Sequence, residues 1–227
     1  MRARQAALFE TLLPRLATNL AESAPTDLRA LFDRVDEVRL EIGFGGAEHL
    51  IAQAKANPRT GFIGTDAFIN SVAKALAGIE ENKLDNVRLY FGDASDLLAW
   101  LPAGGLTRID LLYPDPWPKR RHWKRRFIQD ESLAQLAHVL KPAGELRFAT
   151  DVAAYAVYAL ARILRSPDFV WTAERADDWR QPWPDFGGTR YEAKAKREGR
   201  TPAYFVFRKA IALSFRDASE SERARNP

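Results

Sequence analysis

The spacing of the apolar runs constrains this chain more than any other feature. "VRLEIG" (38–43), "GFIGTD" (61–66), "VRLYFGD" (87–93), "RIDLLYPD" (108–115) and "GELRFATD" (144–151) are short, mostly apolar stretches of strand length, separated by helical or turn segments. The residues from about Glu48 to Ala56 and the run "AFINSVAKALAGIEE" carry a helical pattern. Strands apolar along most of their length need cover on both faces, and alternation with helices supplies it as a parallel sheet with crossover connections. The expected fold is α/β: an open, mostly parallel sheet with helices on both faces.

The C-terminal third breaks the alternation. "FVWTAE" (169–174) and "PAYFVFRKA" (202–210) read as strands, but the segment between them, "RADDWRQPWPDFGGTRYEAKAKREGRT", is rich in Pro, Gly and charge and shows no convincing helix. Two strands joined without a crossover helix pair antiparallel, so a hairpin is expected at the sheet edge with a long loop beside it. Residues 1–34 read as a partly helical lead-in interrupted by Pro14 and Pro25, 35–212 as one domain, and 213–227 as a polar, frayed tail.

Composition narrows the function classes. A chain of 227 residues with 46% hydrophobic content suits a single domain with a large core. No run of about 18 apolar residues occurs, and charges and Pro14 interrupt the N-terminal stretch, so a soluble, cytoplasmic protein with no membrane partner is expected. There is no cysteine, and His49, His122 and His138 are scattered without ligand spacing, so no metal is expected. The net charge of +4 says little, but Lys119, Arg120, Arg121, Lys124, Arg125 and Arg126 fall within eight residues, and Arg190, Lys194, Lys196, Arg197 and Arg200 form a second cluster. Clustered cations fit a polyanion, although a solvated face is the simpler alternative.

"LEIGFGGAEHL" puts glycines between the first strand and a helix, where backbone turns with positive φ or approaches a ligand closely. Counting G-x-G-x-x-G from Gly43 and Gly45 reaches Glu48, and a carboxylate at a helix start argues against pyrophosphate. Asp66 follows Gly43 by 23 residues, near the offset at which an acid reaches a ribose diol. With Glu41 and Asp93 it forms a set of acids at successive strand ends. Such a set suits a ligand with an amine, a diol and a positive charge, and S-adenosylmethionine (SAM) has all three. Each acid alone could equally cap the following helix.

At the fourth strand end, "PDPWPK" restricts Asp115 from both sides, since proline fixes its own φ and limits the residue before it. Trp117 offers a stacking face for a base and Lys119 with the cations behind it can meet phosphates. These parts suggest methyl transfer to a nucleobase. A guanine N7 acceptor carries no proton to remove, so Asp115 would orient and stabilise; an amine acceptor would make Asp115 a proton acceptor. Both remain open on the residues alone, as does the reading of Pro-Asp-Pro-Trp as a rigid turn.

The stretches "LEIGFGGAEHL", "PDPWPKRRHWKRRF", "LKPAGELRFATD" and "TRYEAKAKREGRTPAYFVF" resemble those of the class I, SAM-dependent tRNA (guanine-N7-)-methyltransferases over most of residues 38–208. The resemblance implies a Rossmann-like, seven-stranded methyltransferase domain over 35–212, with tRNA as partner and N7 of a variable-loop guanine as acceptor. By motif it implies SAM contacts at Glu41, Gly43, Asp66, Asp93 and Asp115, with Asp115 also the central active-site carboxylate. It implies substrate-binding positions at Lys119, Asp151, Thr189, Arg190, Tyr191 and Glu192. It leaves monomer and homodimer equally open. Four departures stand out: Ala47 where a further glycine is usual, Asp66 where glutamate is usual, the unusual "TDAFINS" (65–71), and a start at "MRARQAALFETLLP" where a longer basic arm is general. The alternatives are a SAM-dependent N-methyltransferase of a protein or small amine, and a non-catalytic RNA-binding protein with a SAM-like fold.

Overall fold

The structure, a computed structural model, describes residues 3–211, so the tail reading of 213–227 lies outside the described residues. Seven strands form one sheet: β1 (Glu37–Ile42), β2 (Thr60–Asp66), β3 (Val87–Phe91), β4 (Leu106–Leu112), β5 (Leu140–Thr150), β6 (Phe169–Trp171) and β7 (Ala203–Lys209). Their order is β3-β2-β1-β4-β5-β7-β6. β1 to β5 pair in parallel, and β7 runs antiparallel between β5 and β6. The expected edge hairpin is present, with β6 outermost.

The helices are α1 (Ala3–Thr11), α2 (Leu13–Leu16), α3 (Glu48–Ala56), α4 (Ile69–Asn82), α5 (Ala94–Trp100), α6 (Asp130–Val139), α7 (Ala153–Ile163), α8 (Asp177–Arg180) and α9 (Arg190–Arg197). In α4 the buried Val72, Ala75, Leu76 and Ile79 recur at helical spacing and build one apolar stripe. Two clusters result. One joins the β1, β4, β5 and β7 side chains to Leu97, Leu133, Leu136, Tyr155 and Ile163. The other joins β2 and β3 to α3 and α4, with Leu8 of α1 and Leu16 of α2 sealed into it. Each fully buried Leu, Ile or Val contributes about 1.5–3 kcal/mol, so the strands are held firmly and their ends are fixed points.

The segment between β6 and β7 corrects the sequence expectation, because it contains α8 and α9. α9 has no apolar stripe: it buries Ala195 and Glu192 and little else. Local polar contacts hold it instead. The Thr189 hydroxyl accepts the Glu192 N–H at 3.1 Å, and Lys196 pairs with Glu192 one turn back at 2.5 Å.

From β1 the chain winds outward to β2 and β3; from β4 it winds the other way to β5. In such sheets the reversal opens a crevice at the carboxyl ends, here between β1 and β4. The glycine turn after β1 and the Pro-Asp-Pro-Trp turn after β4 flank it.

Candidate active site

A cleft of about 380 Å³ lies in this crevice, within the size range of small-molecule sites. Gly43, Gly45, Asp66, Phe68, Asp93, Tyr113, Asp115, Trp117, Arg125 and Tyr191 are among its walls. Gly43 has φ +70°, and a Cβ there would meet nothing within 4 Å, so the backbone itself borders open space. Asp66 holds the turn in place: one carboxylate oxygen accepts the Gly45 N–H at 2.9 Å, the other the Phe68 N–H at 2.8 Å. Each oxygen keeps acceptor capacity for a ligand hydroxyl. Asp93 caps α5 through the Ser95 N–H at 2.8 Å, so the capping alternative is real there, and its carboxylate still borders the cleft. Ala47, buried at the start of α3, has φ +62°, a region that favours glycine.

The β4 turn is stiffer than its prolines alone make it. Tyr113 and Trp117, two residues either side of Asp115, have φ of +51° and +41°. Bulky residues stay there only where surroundings over-determine them. Tyr113 packs with Trp183, Phe186 and Tyr204. Trp117 has the Arg125 guanidinium 4.9 Å above its ring and the His122 ring edge-on at 5.8 Å. Asp115 itself is exposed and makes no hydrogen bond or ion pair among the described residues.

The cation run divides. Arg125 is exposed and lines the cleft, Lys119, Arg120, Arg121 and Lys124 are exposed, and Arg126 is buried and cannot meet a phosphate. Burial pulls the Arg126 guanidinium below its ordinary value, against the pull of Tyr155 and Tyr158. The second cluster is largely paired. Arg190 bonds Glu48, Lys196 bonds Glu192, and Arg200 bonds Asp151 at 2.6 Å. At the start of α9, Tyr191 reaches the cleft over Gly45, while the Glu192 carboxylate turns inward to accept the Tyr204 hydroxyl at 2.7 Å.

Of the residues expected at the site, Gly43, Asp66, Asp93, Asp115 and Tyr191 converge on the cleft. Glu41 does not line it: it is 4% exposed, and its carboxylate meets His49 Nδ1 at 2.7 Å beneath the glycine turn. Lys119, Asp151, Thr189, Arg190 and Glu192 do not line the cleft. A polar network around the buried Arg108, Asp110 and Gln53 matches none of the motifs read from the sequence. Arg108 donates to Asp110 at 2.9 Å, to Asp185 at 2.7 Å and to Gln53 at 2.7 Å, and Arg147 adds a second bond to Asp185 at 2.6 Å. Paired cation–acid spacing on neighbouring strands was its one trace in the sequence.

Fold, strand order and an acid-lined glycine cleft together define a class I, SAM-dependent methyltransferase. The family profile described as "Putative methyltransferase" matches residues 36–204. A "tRNA (guanine-N(7)-)-methyltransferase" of Nitrobacter hamburgensis is 56% identical over 210 residues, 92% of this chain and 82% of the relative. Another of that name, from Bradyrhizobium diazoefficiens, is 54% identical over 211 residues, 92% of this chain and 89% of the relative. The chain belongs to the family of these tRNA (guanine-N(7)-)-methyltransferases. Solved structures share the fold at lower identity. The 16S rRNA methyltransferase KamB superposes with a TM-score of 0.61 at 17% identity, covering 84% of this chain and 95% of that one. A Streptococcus mutans protein described as "a putative methyltransferase", in complex with SAH, superposes with a TM-score of 0.50 at 11% identity, covering 78% and 90%.

Proposed function

We propose that this protein methylates N7 of a guanine in the variable loop of tRNA, acting in the cytoplasm. SAM, when bound, supplies a methyl carbon activated by a sulfonium. On this reading Asp66 holds the ribose diol, Asp93 the adenine amine, and the backbone of the glycine turn the amino-acid end. Guanine N7 brings a lone pair and no proton, so no general base is needed. The new N7–carbon bond forms as the carbon–sulfur bond breaks, the electron pair stays on sulfur, and the positive charge passes to the purine ring. Asp115 accepts the N–H groups of the guanine edge, sets N7 in line, and stabilises the ring as it becomes cationic. Trp117 and Tyr191 border the space for the base. Lys119, Arg120, Arg121, Lys124 and Arg125 meet phosphates. Arg190, Thr189, Glu192 and Asp151 set the position of α9 against the bound tRNA.

The observation that carries the reading is the uncommitted Asp115 carboxylate facing the same cleft as Asp66 and Asp93. Purified protein with methyl-labelled SAM and unmodified tRNA should place label on guanine N7. Label appearing on a protein or small amine and not on tRNA would favour the amine-directed alternative, and SAM-binding without transfer the non-catalytic one.

A further inference from the structure

Arg126 occupies an unusual place for an arginine. It is 2% exposed, and its guanidinium carbon lies 4.6 Å from the Trp123 ring centre, 5.0 Å from that of Tyr155 and 4.4 Å from that of Tyr158. No carboxylate pairs with it among the described residues, and Nη1 is buried without a partner. Burying an unpaired cation is costly, and an apolar side chain in an aromatic cage would avoid that cost. What the arginine adds is a donor: Nε–H reaches the carbonyl oxygen of Pro116 at 2.8 Å.

Pro116 stands between Asp115 and the left-handed Trp117. Neither Pro114 nor Pro116 has an N–H, so the turn has few backbone donors with which to fix itself. The cage is in turn anchored to α6, because Gln129 Nε2 donates to the Trp123 and Arg126 carbonyls at 2.7 and 3.1 Å and Gln129 Oε1 accepts the Tyr158 hydroxyl at 3.1 Å. The line runs from α6 through Arg126 to the Pro116–Trp117 peptide, one residue beyond Asp115.

We infer that Arg126 is a positioning residue for the reaction: its hydrogen bond to Pro116 fixes the direction of the Asp115 carboxylate and the Trp117 ring. The inference rests on the reading of Asp115 given above. The last cation of the basic run thus serves the turn, not the RNA.

The test is a cycle of variants assayed for methyl transfer to unmodified tRNA at saturating SAM and tRNA. Arg126→Met removes donor and charge and keeps an unbranched stem among the rings. Arg126→Lys keeps the charge there but puts a methylene where Nε–H donates. Both are expected to lower kcat at least tenfold with SAM affinity within twofold of wild type, and to lower it by a clearly smaller factor in an Asp115→Asn background. Wild-type kcat in either variant overturns the inference, as does an equal loss with and without Asp115, which would mark a general structural role. If Arg126→Met does not fold, Arg126→Lys decides alone. Should Asp115→Asn keep full turnover, the Asp115 reading itself fails; should it lose turnover while both Arg126 variants keep it, only the present inference fails.

Discussion

Arg190, the first residue of α9, donates from Nε and Nη2 to a single oxygen of Glu48, the first residue of α3, at 2.8 and 2.5 Å. The fork lies directly over Gly46, where a Cβ would come within 1.8 Å of the guanidinium. Glu48 therefore takes the place of the third glycine of a dinucleotide loop in order to tie the loop down from above. An exposed pair of this kind contributes about 0.5–1 kcal/mol, so Arg190→Ala or Glu48→Gln should weaken SAM binding about two- to fivefold with little change in stability. Gly46→Ala should do the same by displacing the guanidinium, and the exchange Glu48→Arg with Arg190→Glu should recover most of the affinity. Titration calorimetry with SAM reads all four.

The Arg108 network is where stability is most exposed to change. Asp110 is 2% exposed, and Arg108 is the one hydrogen-bond or ion-pair partner of its carboxylate among the described residues. Arg108→Ala leaves that buried carboxylate alone and should cost about 3–5 kcal/mol, seen as a lower urea midpoint at unchanged slope.

The Glu41–His49 pair predicts the sign of one pH effect. Burial opposes charge on His49, but the Glu41 carboxylate outweighs it and holds the imidazole above its ordinary value of 6.5. Burial likewise raises the Glu41 carboxyl, against the pull of His49. Each group then keeps its proton to higher pH in the folded protein than in the unfolded chain, so the stability His49 supplies is complete below about pH 6.5 and lost as pH rises through its folded value, while the Glu41 share declines already above about pH 4.5. The stability difference between wild type and His49→Gln should shrink from pH 6 to pH 8; a difference growing with pH would contradict the assignment.

The five exposed cations of the 119–126 run should govern the salt dependence of tRNA binding. Arg121→Gln and Lys124→Gln should each weaken binding at low salt and flatten the plot of log affinity against log salt by about 0.7–0.9 per contact removed. Arg126→Met should leave that slope as it is, because the side chain is buried.

Much of this architecture was legible in the sequence because parallel strands buried on both faces leave continuous apolar runs, as in β2, where all seven residues are buried. Asp66, Asp93 and Asp115 were legible for a related reason: strand ends at a switch point are fixed by the core beneath them. α9 was missed because an apolar stripe was required of it. The Thr189-x-x-Glu192 pattern, half of a capping box, was the available signal. The left-handed Tyr113 and Trp117 leave no trace in local sequence, since contacts from Trp183, Phe186 and Arg125 impose them. The same holds for Arg126, whose place in the basic run disguises an aromatic cage built from α7 and the turn before α6.

The central claim is that Asp115 orients a guanine for attack by N7 in a cleft that holds SAM through other residues. Single-turnover transfer of labelled methyl from SAM to unmodified tRNA, with the modified position mapped, tests it most directly in wild type and Asp115→Asn. Label at guanine N7 is expected for wild type, and a rate lower by about 10²-fold or more for the variant, with SAM affinity nearly unchanged. Label at another atom, or a variant as fast as wild type, would contradict it.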